Sequence, residues 1–590
     1  NTPVDTTKTK TKEIDEVIIT GFQKIEKSKI TSSVDVVKMK DIEQKAVASI
    51  DQMLQGRVPG LLVTPASGTP GQIAPIRLRG TASLSGPIDP LWVIDGMPLE
   101  MGDAPKYDAG KDINDLKNYS IAGFNPEDIE SITVLKDASA TAAYGARGSN
   151  GVIVIKTKNG RKGATKFNFS ARYGAAQRLP NLGFMTAEQQ LELLAFTKRN
   201  GEFVKKLLDE QNVDPGIYLN YAIGKLTDAQ LARVNELWNS LPDVSTYKQG
   251  LLDNADGTTP NIKAWNEAGR PNYDFAKAYW RQITSTVDAQ ISASGGDDTQ
   301  TFYASFGGNY SQNPVVGADF KRVSGALNVD RTLVKWLKFS TNNQVSYTRQ
   351  DGVFAEQISS MGNPIAGPYY ASPFTPVYKN GKPNIDLGGA LNWLYLKDHN
   401  EGKQALSHLS TNNQLTATIV EGLSFKSRVA LDFVLFDAKE YDNRIHSDHS
   451  YENGRAYQSK QSTYNFVTQN SLNYDRRFLE DHKISLLALQ EYQRSYVNFL
   501  SGQAFNSATD KVKDLGSLKT NQGTNGSESG WGNAAYLLLL NYDYAGRYIL
   551  DLSYRLEGSS RFARDKRFGN FGSVGLAWNV HAEKFFEPLV

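Results

Sequence analysis

Few residues in this chain combine type and spacing in a way that could do chemistry. His446 and His449 stand three apart in His446-Ser-Asp-His449, the only close histidine pair. At i, i+3 they could supply two ligands to a metal ion. Two ligands are a minimal motif, and a polar loop accounts for the same residues. Gly145, Gly148 and Gly151 follow the spacing G-x-x-G-x-x-G. That is neither G-x-G-x-x-G nor a P-loop, so a tight turn before a strand is expected rather than a phosphate cradle. Arg77 and Arg79 alternate with Ile76 and Leu78, either as solvated edge charges or as buried cations that need partners. The remaining histidines, His399, His408, His482 and His581, are scattered, and no Ser/His/Asp arrangement emerges. With no cysteine, disulfides and thiolate metal sites are excluded. The chain reads as a non-enzyme, with no cofactor and no metal.

The elements that would position these residues come in two styles. Residues 1–14 are polar and low in complexity and read as a flexible tail. A short apolar patch follows at 15–22. Over 33–162, strand-like runs at 34–37, 61–64, 76–79, 91–94, 132–135 and 152–157 alternate with short helical pieces at 49–55 and 138–143. Gly and Pro mark nearly every junction. This predicts a small α+β domain whose run Val152-Ile-Val-Ile155 is buried on both faces. From 164 to 590 the pattern has period two. Tyr548, Leu550, Leu552, Tyr554 and Leu556 share one face, opposite Asp551, Ser553, Arg555 and Glu557. Leu423, Phe425, Val429, Leu431, Phe433 and Leu435 oppose Lys426, Arg428 and Asp432 in the same way. An antiparallel soluble sheet alternates too. Long strands, aromatic ends and alternating long and short connections favour a membrane β-barrel instead, and the pattern counts roughly twelve strands. One insertion, about 180–282, is helical, with capping boxes opening at Thr186 and Thr227. Leu191, Leu194, Ala195, Leu207 and Leu208 are its expected apolar face.

Composition narrows the classes. Lys+Arg 65 against Asp+Glu 63 leaves a net charge of +2, without the basic excess of a nucleic-acid binder. The longest apolar run is the seven residues Ala534-Ala-Tyr-Leu-Leu-Leu-Leu540, too short for a transmembrane helix. Gly 50, Tyr 28 and Phe 26 suit β-structure with aromatic girdles.

Six motifs occur in order: Leu54-Gln-Gly-Arg-Val-Pro-Gly60-Leu-Leu-Val63, Ser67-Gly-Thr-Pro-Gly71, Ile76-Arg-Leu-Arg-Gly80-Thr, Pro90-Leu-Trp-Val-Ile-Asp-Gly96, Asn125-Pro-Glu-Asp-Ile-Glu130, and Val134-Leu-Lys-Asp-Ala138 continuing through Ser-Ala-Thr-Ala-Ala-Tyr-Gly145-Ala-Arg-Gly148-Ser-Asn-Gly151. Together they resemble the plug domain of SusC/RagA-family TonB-dependent outer-membrane transporters. Phe320-Lys-Arg322 and Lys335-Trp-Leu-Lys-Phe339 resemble the family's early barrel strands. The resemblance implies an antiparallel membrane β-barrel of 22 strands around an N-terminal α+β plug. It implies plug roles for Arg77, Arg79, Gly80, Asp95, Gly96, Lys136, Asp137, Tyr144, Gly145, Arg147 and Gly148. It implies that Arg77 and Arg79 pair with inner-wall carboxylates, for which Asp432, Asp551 and Glu557 are available. It also implies that Asp15, Glu16, Val17, Ile18, Ile19, Thr20, Gly21 and Phe22 form a TonB box. Such a segment could add as a strand to a partner sheet, and the first strand of the plug is the alternative.

The implied function is active import of an oligosaccharide or peptide across the outer membrane of a Gram-negative, Bacteroidota-like cell. The implied partners are TonB, a SusD-like surface lipoprotein and outer-membrane lipid. A barrel kept as a structural subunit of an envelope complex is the other reading. Twelve strands are too few to enclose a plug where 22 are usual, so the native polypeptide, or a second chain, is expected to continue past Val590.

Overall fold

Val152–Thr157 lies in the middle of the smaller of the two main sheets in the computed structural model. The structure describes residues 17–19, 22, 24–26, 29, 31–39, 49–64, 70–71, 74–80, 89–99, 121, 123–178, 183–352, 362–583 and 585–586. The first nine strands are β1 (Val17–Ile19), β2 (Lys24–Glu26), β3 (Val34–Lys38), β4 (Leu61–Val63), β5 (Ile76–Leu78), β6 (Leu91–Ile94), β7 (Met97–Pro98), β8 (Ile129–Leu135) and β9 (Val152–Thr157). They form a five-stranded sheet ordered β3-β8-β9-β6-β7 and two separate pairs, β1-β2 and β4-β5. Among the described residues only β6 and β9 run parallel. One face of β9, through Ile153 and Ile155, packs with Trp92, Ile94, Ile132 and Val134 over the helix Ile50–Leu54. Its other face, through Val152 and Val154, packs on Leu487, Leu489, Leu537 and Leu539 of the larger sheet. The continuous apolar run thus has a core on each side, which is why it lacks alternation.

The larger sheet has twelve antiparallel strands in sequence order. They are β10 (Gly163–Gln177), β11 (Ile283–Gly296), β12 (Gln300–Gln312), β13 (Asp319–Val334), β14 (Leu337–Asp351), then, after the small pair β15 (Tyr378–Lys379) and β16 (Lys382–Pro383), β17 (Glu401–Val420), β18 (Leu423–Asp442), β19 (Arg455–Phe478), β20 (His482–Phe505), β21 (Thr520–Tyr544), β22 (Tyr548–Ser559) and β23 (Phe568–Trp578). Among the described residues β10 and β23 do not pair with each other, so the sheet is an open wall curved around the plug. Its parity follows the sequence pattern. On β22, Tyr548, Leu552 and Tyr554 are exposed on the outer face, while Ile549, Arg555 and Glu557 are buried against the plug. On β18, Phe425 and Val429 are exposed outside and Ala430, Asp432 and Val434 are buried inside. Tyr544, Tyr548 and Trp578 stack along the short-turn end, with ring centroids 6.2 and 6.4 Å apart, as a girdle would.

Helices fill the long connection between β10 and β11, from Ala187–Glu210 to Phe275–Tyr279. Thr186 and Thr227 both close capping boxes, with Gln189 and Gln230. Leu191, Ala195 and Leu207 are buried as expected, but Leu194 and Leu208 are exposed. The apolar stripe is narrower than expected: Leu194 and Leu208 fall at its edges, each next in sequence to a buried position, Ala195 or Leu207.

Candidate functional site

The plug meets the wall through buried polar groups, and the most highly charged contact is built on a kink. Gly145 has φ 63° and ψ −144° inside the 3-10 segment Ala142–Gly148. A Cβ there would stand 1.8 Å from Glu557 Oε2, so only glycine lets the chain pass this close. The kink delivers Arg147 to the wall. Its Nη2 donates to Glu491 Oε1 at 3.0 Å, its Nη1 donates to Gln493, and its Nε lies 3.6 Å from Glu557 Oε1. Arg555, on the wall, donates to Glu491 at 2.8 Å, to Glu557 at 3.2 Å and to the Ala143 carbonyl at 3.0 Å. Gln469 donates to the second oxygen of Glu491 at 2.7 Å.

The register explains the assembly. Gln469 is opposite Glu491, and both Glu491 and Glu557 are opposite Ala535, so all four sit at one level across β19–β22. The small Ala535 side chain leaves the space between the two carboxylates to the guanidinium groups. Two cations and two anions cancel. Burial of charge is sustained by this pairing and by the extra hydrogen bonds.

Two further carboxylates of the plug are anchored in the wall. Asp128 closes a 3-10 turn, Pro126–Asp128, capped by Asn125. Its Oδ1 accepts from Gln290 at 2.6 Å, Tyr303 at 2.9 Å and Ser305 at 2.7 Å. Burial pushes its pKa up, against the opposing pull of these three donors. Asp95, at φ 48°, accepts from the Thr157 amide and hydroxyl at 3.0 and 2.7 Å and from Asn342 at 3.2 Å. Burial raises its pKa as well. Gly96 lies under Arg428, whose Nη1 would be 2.1 Å from an added Cβ.

Below Asp95 and Gly96 a cavity of 780 Å³ opens between plug and wall toward the short-turn end, past Arg428, Lys426 and Lys483. Phe22 and Lys29 lie at its edge. The Phe22 ring packs on Tyr144, centroids 4.9 Å apart. Lys29 pairs with Asp543 of the wall at 3.0 Å, and Thr31 donates to Asp551 at 2.6 Å. The last residue of the expected TonB box is therefore held on the plug and the segment after it is stitched to the wall. Within that box, Val17–Ile19 pairs with Lys24–Glu26 as a hairpin. Asp15, Glu16, Thr20 and Gly21 lie outside the described residues.

The structure corrects the arginine pairing. Arg79 is bound to Asp137 of the plug itself, and Arg77 is exposed on the three-residue strand β5. Neither reaches the wall carboxylates. Asp432 is paired with His408 at 2.6 Å, Asp551 takes Thr31 and Asn541, and Glu557 takes Arg555 and Arg147. Lys136 bridges to Asp35, Tyr144 is buried, Gly80 (φ 96°) has open space beside its Cα, and a Cβ at Gly148 would meet the Thr141 carbonyl at 2.6 Å. Glu491, Gln493 and Asp128 were missed; the available signal was a lone carboxylate at an inward position, as Glu491 is beside Leu489. His446 and His449 part company. His446 is buried and its Nε2 accepts from the Asn392 amide at 2.8 Å, while His449 lies 2.9 Å from Asp442. Burial lowers the His446 pKa to about 4. Among the described residues no group of three or more His, Asp or Glu converges as metal ligands.

Comparison with known proteins gives the geometry its context. The TonB-dependent Receptor Plug Domain family matches residues 26–152. TonB-dependent receptor SusC of Bacteroides thetaiotaomicron is 26% identical, over 98% of this chain and 52% of its own length. TonB-dependent receptor P26 of Formosa agariphila is 28% identical, over 100% of this chain and 52% of its own. The chain thus spans about half the length of the curated relatives it matches. In fold, the RagAB peptide importer in its 'open-open' state superposes with a TM-score of 0.74 at 24% identity, covering 97% of this chain and 59% of that one. A plug latched inside a twelve-stranded wall, with these likenesses over nearly its whole length, gives the chain a TonB-dependent receptor plug domain and the fold of the plug and part of the barrel of the SusC- and RagA-like receptors it is similar to.

Proposed function

We propose that this chain forms the plug and part of the barrel wall of an active importer of large nutrients in an outer membrane. The observation that supports this most is the nature of the plug–wall contact. Apart from the patch of Leu487, Leu489, Leu537 and Leu539 and the contacts of Ala430 and Val467 with the plug core, much of it is polar: Arg147 with Glu491, Asp128 with Gln290 and Tyr303, Asn328 with the Lys158 carbonyl, Asn412 with the Asp95 carbonyl, Asn465 with the Pro98 carbonyl. Water can replace each of these bonds, whereas a dry interface would lose its apolar burial. Such a plug is held firmly yet can be displaced. TonB would grip residues 15–22 by strand addition and pull on the stitched segment behind them. A SusD-like lipoprotein would close the long-loop mouth, and an oligosaccharide or peptide would be the cargo.

Deletion of residues 15–22 tests the reading. Uptake of the limiting nutrient should stop while the protein still folds and inserts. Unimpaired growth of the deletion strain would favour a structural subunit of an envelope complex.

A further inference from the structure

A second cavity, of 580 Å³, lies at the long-loop mouth between the base of the helical insertion and the loop around Tyr369. Its polar groups are unusual. Arg178 follows β10 at inward parity and its Cζ stands over Trp280, 4.6 Å from the ring centroid. Among the described residues, the buried Nε and Nη1 of Arg178 have no acceptor. Gln190, in the first turn of Ala187–Glu210, borders the same cavity, and its buried Oε1 has no donor. Phe184, Tyr273, Phe275 and Tyr369 line the cavity together with Asp274 and Lys277, and Trp280 lies behind them. Phe184 stands 5.9 Å from Trp280 and 4.7 Å from Tyr369, centroid to centroid. The Trp280 indole is itself fixed by donating to the Pro364 carbonyl at 2.7 Å.

Buried polar atoms in a folded protein are normally satisfied, so two unpaired cationic donors and one unpaired acceptor on side chains that line one cavity call for a ligand. The chemistry of the donors selects it. A guanidinium edge pairs best with a carboxylate, aromatic faces take a flat apolar surface, and an amide oxygen takes an N–H or O–H. We propose that this cavity is a cargo subsite for a carboxylate-bearing end group: the C-terminal residue of a peptide or a uronate unit of an acidic oligosaccharide. Its volume suits a terminal unit rather than a whole oligomer. The inference deepens the import reading by naming the cargo's charge, and it rests on that reading only for the direction of passage.

The test is equilibrium binding to the purified full chain in detergent by calorimetry, with no TonB present. The probes are trigalacturonate against its methyl ester, and the tripeptide Phe-Ala-Phe as free acid against its C-terminal amide. In one of the two pairs the acid should bind at least about tenfold more tightly, the size expected of a charge-assisted hydrogen bond. Arg178→Gln should abolish that preference and Arg178→Lys should keep part of it. Gln190→Ala should weaken acid and neutral probes alike. The pair that responds identifies the carrier. Equal binding of acid and neutral forms in both pairs, or a preference that survives Arg178→Gln, overturns the proposal. Melting temperatures of the variants, matched to the parent, separate lost recognition from lost fold. A chain that binds the acid but fails to import refutes the import reading and leaves the subsite standing.

Discussion

Replacing Gly145 by Ala should undo the latch between plug and wall, and the structure gives the size of the effect. The backbone at φ 63°, ψ −144° lies in a region almost reserved for glycine, and holding Ala there costs about 1–3 kcal/mol. The new methyl would also stand 1.8 Å from Glu557 Oε2 and 3.0 Å from Arg555 Nε. Glu557 must leave, and Arg147 and Arg555 are then left sharing Glu491. Removing one partner of a buried ion pair costs about 3–5 kcal/mol. Together the two effects reach about 4–8 kcal/mol, against about 1.4 kcal/mol per tenfold change in an opening equilibrium. The chain has no cysteine, so Val154→Cys provides a single thiol at the plug–wall contact, where Val154 is 3% exposed. Its maleimide labelling rate, relative to a free thiol, reads how often the plug leaves the wall. Gly145→Ala should raise that rate by about a thousandfold or to full loss of protection.

A Glu557→Ala background separates the two causes. There the carboxylate is gone, the methyl meets nothing comparable, and Gly145→Ala should cost only the backbone strain of about 1–3 kcal/mol. The coupling between the two substitutions should therefore be about 3 kcal/mol or more. Equal costs in both backgrounds, or labelling of Gly145→Ala within about tenfold of the parent, would refute the claim that this glycine exists to let Glu557 and Arg147 meet.

Leu552→Arg should lower stability in lipid by about 2–4 kcal/mol near the bilayer midplane, measured by urea titration in liposomes; spin labels at 551 and 553 more accessible from lipid than those at 550 and 552 would invert the assigned faces. Asp128 has a raised pKa in the folded protein, so it holds its proton more tightly docked than free; docking should weaken as pH rises from the ordinary carboxylate range through that raised value, and Asp128→Asn should flatten this slope in the thiol-labelling assay. His446 is the opposite case, because its pKa is lowered to about 4 and the unfolded loop binds the proton first. The loops it joins should grow more sensitive to protease as pH falls from about 6.5 toward 4, and His446→Gln, which keeps an acceptor for the Asn392 amide, should remove the pH dependence.

What was legible in the sequence is what local geometry dictates. Parity on a strand depends only on neighbours, so Leu552 outward and Arg555 inward could be read from 548–556 alone. The same holds for the Thr186 and Thr227 caps, each closed within three residues. Partnership is different in kind. Arg147 and Glu491 are 344 residues apart, and their meeting depends on the level set by every hairpin from β10 onward and on where the plug rests. Parity says that Glu491, Arg555 and Glu557 face inward, but the common level with Ala535 exists only once the strands are registered. The arginine pairing went wrong on this point. Arg77 and Arg79 have the alternation of a buried strand, yet β5 is three residues long and among the described residues pairs only with β4, and Arg77 on it is exposed. Arg79 then takes the nearest carboxylate, Asp137, from within the plug. A strand that presents charge to solvent and one that presents it to a wall share the same pattern. They differ in the carboxylates that await them, and on β20 that difference is visible at Glu491, where the inward row Leu487, Leu489, Glu491, Gln493 turns from apolar to polar at the level the plug's arginine must reach.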